Sequence, residues 1–294
     1  KQVRARLSDG STAGTMVCAG TGSGKTKAFY LPVLSAVAES AVKDSNPWAR
    51  VIAIYPRNEL LKDQITEALA QVDLIAASGG PVISVGAYFG PTAFTANSLE
   101  RSGGWKSVDG GYACRYIRCP QGCVSDVNWR DEDRVSGRQI VVCPQCGWTS
   151  TEGQLALTRD TLQATPPHVL FTSTEMLNRV LANNIGRKLV VGPSPQQTPT
   201  TLLLDEVHTY GGVHGAQVGL LIRRWRSALG NKAHLHVVGL SATLEAPEQF
   251  FSDLTGIPDV RVIRPADKDL ESRGADYALV LRGNPVSGTA LLST

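Results

Sequence analysis

The chain alternates short, continuous hydrophobic runs with longer segments in which hydrophobic residues recur every three or four positions. The short runs predict buried strands, and the longer spacing predicts helices at residues 25–42 and 247–256. The predicted strands are 16–18, 51–55, 83–88, 201–204, 236–240 and 260–263, with a further run that begins at 169. Strands that alternate with helices predict an α/β fold, with a mostly parallel sheet and helices on both of its faces.

A glycine-rich turn separates the first predicted strand from the first predicted helix. Residues 19–26 match A-x-x-G-x-G-K-T, with Ala19 where the usual first glycine stands. The turn predicts a phosphate-binding loop for ATP, because backbone N–H groups at a helix N-terminus bind phosphates. Lys25 would contact the β- and γ-phosphates, and the Thr26 hydroxyl would bind Mg²⁺. The nucleotide-binding residues predicted here are Gly22, Ser23, Gly24, Lys25 and Thr26.

Two acidic residues follow the hydrophobic run 201–204. Asp205 and Glu206 would lie at the carboxyl end of a buried parallel strand. Asp205 would hold Mg²⁺, usually through water, and Glu206 would polarise the water that attacks the γ-phosphate. A solvated acidic strand end is the alternative, and the nearby phosphate loop disfavours it.

Hydroxyl side chains follow the predicted strand 236–240. Ser241 and Thr243 can hydrogen-bond toward His208, which lies two residues after Glu206. Such a contact would couple the nucleotide site to another surface of the protein. We therefore place His208 with Lys25, Asp205 and Glu206 in the predicted catalytic group.

Taken in order, these segments resemble the first RecA-like lobe of a superfamily 2 DExH/DEAD-type helicase. Residues 51–64 resemble motif Ia, residues 169–177 resemble motif Ib, and residues 241–243 resemble motif III. Gln2 lies 17 residues before Ala19, where these helicases place the glutamine that contacts adenine. The rest of that motif is absent, so a frayed terminal residue is the alternative for Gln2.

A narrower resemblance rests on residues 205–215 and 221–224. They resemble the group that includes the Lhr-like and MrfA-like DNA helicases and the helicase subunit of the DISARM anti-phage system. This resemblance implies DNA rather than RNA as the nucleic acid, and a role in anti-phage defence or DNA repair.

The loops of motifs Ia and Ib are expected to face nucleic acid. They offer a guanidinium, hydroxyls and backbone N–H groups, which contact phosphates without reading bases. The predicted nucleic-acid-binding residues are Pro56, Arg57, Thr172, Ser173 and Thr174. A solvated loop charge is the alternative for Arg57.

Residues 91–166 form a predicted insertion that holds five of the six cysteines. Two cysteine pairs, with spacings x₃ and x₂, are separated by 19 residues and resemble a zinc ribbon. Four thiolates can bind Zn²⁺ tetrahedrally, and the turns within each pair free N–H groups for the sulfurs. A secreted disulfide module is the alternative, which a reducing intracellular setting disfavours. Cys114 could replace Cys119 or stay a free thiol, and it is left out of the ligand set. The predicted ligands are Cys119, Cys123, Cys143 and Cys146.

The insertion has two candidate roles. It is a metal-held scaffold, or it contacts nucleic acid or a partner protein. Aromatic residues alternate with arginines around the cysteines, which suits stacking and phosphate contact on single strands. The residues concerned are Trp105, Arg115, Tyr116, Arg118, Trp129, Arg130 and Trp148.

Composition adds limits to this picture. Lysine and arginine total 29 against 26 acidic residues, a formal charge of +3, so any nucleic-acid-binding surface must be a local one. The sequence has no signal peptide and no apolar run of about 18 residues, which predicts a cytoplasmic protein without membrane spans. The first residue is Lys1, so we expect a piece of a longer polypeptide.

The predicted domains are a RecA-like lobe, residues 1–264, and a linker, residues 265–294, toward a second RecA-like lobe. The resemblance implies that the second lobe supplies arginine fingers, and no Q-x-x-G-R-x-x-R-like motif occurs in this sequence. We therefore expect an ATP-dependent helicase or translocase that is active only with a second lobe. The alternatives are a nucleotide-gated binding or scaffold module without motor activity, and an ATPase without a nucleic-acid substrate.

Overall fold

The structure is a computed structural model. The residues that it describes are 2–8, 10–19, 25–230, 233–242 and 244–265. The chain divides into two units, residues 1–264 and residues 265–294, and nearly all of the described residues belong to the first unit.

Twelve described strands form two sheets. They are β1 Ala13–Cys18, β2 Val51–Ile54, β3 Val85–Tyr88, β4 Lys106–Val108, β5 Gly111–Arg118, β6 Asp126–Arg130, β7 Val141–Val142, β8 Leu155–Ala156, β9 Val169–Thr172, β10 Thr201–Leu204, β11 His236–Ser241 and β12 Val260–Ile263. The main sheet has eight strands in the order β12-β1-β11-β10-β2-β9-β3-β8, and all of its described pairs are parallel. The smaller sheet is antiparallel, in the order β4-β5-β6-β7.

Nine described α-helices connect or flank these strands. They are α1 Gln2–Ser8, α2 Lys25–Lys43, α3 Asn58–Ala77, α4 Asp131–Val135, α5 Arg159–Ala164, α6 Thr174–Ala182, α7 Asn184–Val191, α8 Gly212–Leu229 and α9 Pro247–Thr255. None of these helices combines the length and the apolar character that a bilayer span requires.

The main sheet is buried on both faces because its side chains alternate between them. In β2, Val51 and Ala53 join one hydrophobic core, whereas Ile52 and Ile54 join the other. Helices α2 and α3 contribute to the first core, and α8 and α9 contribute to the second. The predicted α/β fold, with a mostly parallel sheet and helices on both faces, is confirmed.

The insertion packs onto the first core. Trp105, Tyr116 and Trp129 are at most 2% exposed and pack edge-on or tilted against one another. The expectation that these three rings stack on single strands is therefore wrong, because no ring face reaches the surface. Strand β8 lies within residues 91–166 but pairs with β3 as an edge strand of the main sheet.

Candidate nucleotide site and neighbouring surfaces

The parallel register brings the carboxyl ends of the central strands to one edge of the main sheet. Cys18 at the end of β1 lies opposite Ser241 at the end of β11. Leu204 at the end of β10 lies opposite Ile54 at the end of β2. The residues that follow these strands therefore share an edge, which is where α/β proteins bind ligands.

Several predicted site residues lie outside the described part of the chain. Gly22, Ser23, Gly24 and Thr243 are outside it. Lys25 and Thr26 are described as the first residues of α2, and Gln2 as the first residue of α1. Helix α2 thus begins six residues after Ala19 and close behind β1, as a phosphate-binding loop requires. The individual roles of these residues stay predictions.

Asp205 is buried at the end of β10, where its side chain meets the backbone of the next residue. The N–H of Glu206 donates to Oδ1 of Asp205 at 2.8 Å. Glu206 itself adopts a left-handed conformation, with φ of 48° and ψ of 46°. For a residue other than glycine this conformation costs about 1–3 kcal/mol, and such strain is concentrated at functional sites. The strained turn leaves the Glu206 side chain about one-third exposed, beside the buried Asp205.

His208 lies between the acidic turn and the end of β11. Its Nδ1 atom is 3.2 Å from Oε2 of Glu206 and 3.4 Å from Oγ of Ser241. Ser241 is buried, and both Glu206 and His208 are partly exposed. The imidazole can therefore form a hydrogen bond either with the Glu206 carboxylate or with the Ser241 hydroxyl. The coupling role of Ser241 stays a prediction.

A group of buried tyrosines surrounds this turn, and sequence reasoning did not identify it. The hydroxyls of Tyr30, on α2, and Tyr55, directly after β2, are 2.6 Å apart. The ring of Tyr55 stacks on Phe171 of β9 at 5.8 Å between centroids. Burial raises the pKa of both tyrosines well above the usual value, and the Asp205 carboxylate raises it further. Both phenols therefore remain neutral, and their hydrogen bond links α2 to the residue directly after β2.

Tyr210 is the third tyrosine near Asp205. Its hydroxyl is buried and has no hydrogen-bond partner among the described residues. Burial raises its pKa, and the charge of Asp205 adds to this effect. The backbone of Tyr210 also contacts Gly215 in the first turns of α8, so a side chain at that position would overlap the Tyr210 carbonyl oxygen. This close contact fixes α8 against the acidic turn.

The segment that resembles motif Ia continues from β2 into the first turns of α3. Arg57 is the N-cap residue of that helix; its guanidinium is exposed and does not cap the helix. Pro56 is half-buried. The free N–H groups of the first turn and the helix dipole make this end attractive to anions, as the predicted phosphate contact requires.

The hydroxyls of motif Ib have different environments. Thr172 is buried and donates to the carbonyl oxygen of Tyr88 at 2.7 Å. Ser173 is the N-cap of α6, and its Oγ accepts from the N–H of Met176 at 3.3 Å. Thr174 is half-buried at the first position of that helix. The Thr172 hydroxyl is thus engaged within the sheet, and nucleic-acid contact by this group stays a prediction.

The four predicted zinc ligands lie together. The sulfurs of Cys119, Cys123, Cys143 and Cys146 are all within 4.8 Å of one another, and those of Cys119 and Cys146 are 3.5 Å apart. Four thiolates on a tetrahedral zinc, with bonds of about 2.3 Å, lie about 3.8 Å apart, so the group fits this ion. Cys114 lies outside the group, and burial raises the pKa of its thiol to about 12, so it stays protonated.

Backbone N–H groups point at two of these sulfurs, as the turn residues predicted. Burial raises the pKa of Cys143, but N–H groups of Cys146 and Gln145 and the Ser125 hydroxyl outweigh burial and lower it. Burial raises the pKa of Cys119, and the N–H of Gln121 lowers it by less, so the pKa stays above its usual value. Donors of this kind stabilise thiolate charge at a metal site.

The insertion is attached to α3 by polar contacts as well as by its core. Asp73 accepts hydrogen bonds from Nε1 of Trp148 at 2.8 Å and from Nε2 of Gln154 at 2.5 Å. Farther toward the helix N-terminus, Oγ1 of Thr66 accepts from the N–H of Arg118 at 3.1 Å. One helix therefore carries motif Ia at its beginning and the insertion along its length.

Known proteins match this chain in sequence and in fold. Residues 2–84 match the DEAD/DEAH box helicase family. The Druantia protein DruE of Escherichia coli (strain UMEA 4076-1) is 29% identical over 298 aligned positions, which cover 82% of this chain and 16% of DruE. The ATP-dependent helicase hrq1 of Schizosaccharomyces pombe is 28% identical over 99 positions, which cover 33% of this chain and 9% of hrq1.

A solved structure with a similar fold is the DUF1998 helicase MrfA. Its crystal structure has a TM-score of 0.54 at 19% identity and covers 90% of this chain and 29% of MrfA. The MrfA structure bound to DNA and AMPPNP has a TM-score of 0.51 at 19% identity, with coverage of 89% and 26%. These matches confirm the RecA-like fold and the resemblance to superfamily 2 helicases. The chain spans 16% and 9% of the length of the two curated relatives.

Proposed function

Because residues 2–84 match the DEAD/DEAH box helicase family, we propose that this chain is the ATP-binding lobe of an ATP-dependent DNA helicase or translocase. The observation that carries the proposal is the acidic turn after β10. There the buried Asp205, the strained Glu206 and His208 meet Ser241 at the edge where α2 begins. Neither a scaffold nor a simple binding module needs a carboxylate held in a strained conformation at this position.

The proposed chemistry follows from the position of each group. Lys25 binds the β- and γ-phosphates of ATP, and the N–H groups of the preceding loop surround them. Asp205 and Thr26 would hold Mg²⁺, which neutralises phosphate charge when it is bound. Glu206 accepts a proton from the attacking water, and His208 orients the Glu206 carboxylate through their 3.2 Å contact.

DNA is the proposed nucleic acid. A structure of MrfA bound to DNA has been solved, and its fold matches 90% of this chain and 26% of MrfA. Arg57 and the first turns of α3 and α6 offer phosphate contacts at the edge that also holds the acidic turn. A role in anti-phage defence or DNA repair rests on the narrower sequence resemblance.

A second RecA-like lobe completes the proposed motor. Arginine fingers contribute about 10³–10⁵ to the rate in comparable phosphate-loop enzymes. The chain alone is therefore expected to bind ATP weakly and to hydrolyse it at a near-background rate, with or without DNA. With the second lobe present, DNA contacting both lobes would favour closure and stimulate turnover.

The cysteine group is proposed to hold one Zn²⁺. The ion would fix the ends of β5 and β7 relative to each other, because Cys119 directly follows β5 and Cys143 directly follows β7. This assigns the metal a structural role. The burial of Cys119 and Cys143, the short sulfur–sulfur distances and the N–H donors support it.

ATP binding and hydrolysis by three variants test the proposed motor, in protein that includes the second lobe. Lys25→Ala should abolish productive ATP binding, whereas Glu206→Gln should retain binding and lose DNA-stimulated hydrolysis. Lys43→Ala, an exposed lysine at the other end of α2, is the matched control and should change neither. Equal loss of labelled-ATP affinity in the Lys25 and Glu206 variants would contradict the assigned roles. ATP binding without any DNA-stimulated turnover in the unaltered protein would favour the nucleotide-gated scaffold instead.

A further inference from the structure

A polar cavity of about 520 Å³ lies where the insertion meets α3. Lys62 lines it from α3, Lys106 from β4, and Arg115 and Arg118 from β5. Asp126 is the only carboxylate among the described residues that line it. A chain with a net charge of only +3 thus gathers four cationic side chains around one cavity.

Among the described residues, two of these cations form ion pairs with carboxylates and two do not. Nζ of Lys62 is 2.9 Å from Oε1 of Glu59, and Nη1 of Arg118 is 3.6 Å from Oδ1 of Asp63. Both carboxylates are exposed, and such surface pairs contribute about 0–1 kcal/mol, so an arriving phosphate can replace them. Lys106 and Arg115 are exposed and form no ion pair within the described part of the chain. Their charges are available to an anionic ligand.

The cavity reaches the segment that resembles motif Ia, because Lys62 belongs to that segment. Lys62 is five residues after Arg57, which corresponds to about 7.5 Å along the helix axis. Glu59 lies between them, and its pKa is lowered first by the hydrogen bond and charge of Lys62, then by Arg118 and Arg115. The positive potential of the cavity therefore reaches the first turn of α3, where Arg57 is exposed.

The chemistry of the lining points to phosphate groups and not to bases. Tyr116, the one aromatic residue of the lining, is buried, and its hydroxyl donates to the carbonyl oxygen of Leu157 at 2.9 Å. Lysine and arginine side chains contact phosphates regardless of the base sequence.

We propose that the insertion and α3 together form a second phosphate-binding surface, which extends motif Ia and takes the backbone of single-stranded DNA. Lys106 and Arg115 supply its unpaired charges. This proposal rests on the proposed DNA-directed function, because the strand is expected to reach the cavity from Arg57.

Binding of a fluorescein-labelled oligothymidine to the 294-residue chain, measured by anisotropy between about 50 and 200 mM NaCl, tests it. In the double variant Lys106→Gln/Arg115→Gln, the slope of log affinity against log salt should become shallower by about 1.4, since each phosphate contact on a single strand contributes about 0.7. That slope change corresponds to a roughly 25-fold weaker affinity at about 0.1 M salt. Labelled-ATP binding should not change.

Two further double variants serve as controls. Lys43→Gln/Arg261→Gln removes the same charge from exposed residues of α2 and β12, and should retain the slope. Lys106→Arg/Arg115→Lys keeps both charges at the cavity and should retain it as well.

Each outcome decides the proposal. An unchanged slope in the cavity variant, or an equal change in the α2 and β12 control, would overturn the phosphate surface and leave the proposed function standing. Absence of any oligothymidine binding by the unaltered chain would also overturn the phosphate surface, whereas the proposed function is decided separately by the ATPase assay in protein that includes the second lobe. Tighter binding of polyglutamate than of oligothymidine, lost in the cavity variant, would assign the cavity to an acidic protein partner instead.

Discussion

The buried hydroxyl pair of Tyr30 and Tyr55 gives a prediction with a distinctive sign. Each tyrosine is at most 1% exposed, and their oxygens are 2.6 Å apart. Changing either one to phenylalanine leaves the other hydroxyl buried without that partner, which costs about 1–3 kcal/mol. Changing both replaces the pair by apolar rings of similar shape and should be nearly neutral. We expect each single variant to lose about 2 kcal/mol of unfolding free energy, and the double variant to lose less than about 1 kcal/mol.

Urea unfolding of the three variants, followed by circular dichroism, measures this non-additivity. The double variant should be about 3 kcal/mol more stable than the sum of the single variants predicts, with an unchanged m value. The control is Tyr112→Phe, a half-buried tyrosine whose hydroxyl forms no hydrogen bond among the described residues, and it should change stability by less than about 0.5 kcal/mol. Additive losses in the double variant would refute the reasoning, because they would show that each hydroxyl is satisfied independently.

Three further predictions concern stability and metal binding. Gly215→Ala should lower the unfolding free energy by about 1–3 kcal/mol in the same urea assay, because its Cβ would overlap the Tyr210 carbonyl oxygen; an unchanged midpoint would contradict this packing. Burial, followed by the charge of Arg6, lowers the pKa of His236 to about 4. As the pH falls, this histidine is therefore protonated in the unfolded chain before it is protonated in the folded one. The free energy of unfolding should therefore decrease as the pH drops from about 6.5 toward 4, and the decrease should be smaller in His236→Gln. The same decrease in the variant and in the unaltered chain would show that protonation of His236 does not cause it. Native mass spectrometry should find one Zn²⁺ in the unaltered chain and in Cys114→Ser but none in Cys146→Ser; metal loss in Cys114→Ser would overturn the ligand assignment.

The sequence predicted seven of the eight described strands of the main sheet, and the edge where the candidate site lies, because the signals there are local. Continuous, mostly apolar runs such as 201–204 are too short for a typical helix, which favours buried strands. The acidic residues and the glycine-rich turn come directly after such runs. Parallel pairing of the strands therefore places both segments at the same edge of the sheet. Cysteine spacing likewise predicted the group of four sulfurs, since knuckles of this length bring their ends together.

Contacts between distant parts of the chain could not be predicted in this way. Tyr30 and Tyr55 are ordinary members of apolar patterns, and nothing in their own segments indicates that their hydroxyls meet. Asp73 looks like a solvated helix residue until the fold brings Trp148 and Gln154 to it. The alternation of aromatics and arginines in the insertion resembles a binding surface, yet antiparallel strands turn alternate side chains to opposite faces, so the rings are buried and arginines such as Arg115 are exposed.

The position of β1 in the sheet has a consequence for how the protein is made. Both neighbours of this strand, β11 and β12, are encoded more than 200 residues after it. Because chains are synthesised from the N-terminus, β1 must wait without a partner while the antiparallel strands of the insertion, whose neighbours are local, already form. If the glycine-rich segment after β1 binds ATP as proposed, we therefore expect ATP to act as a ligand only when synthesis of residues 1–264 is nearly finished.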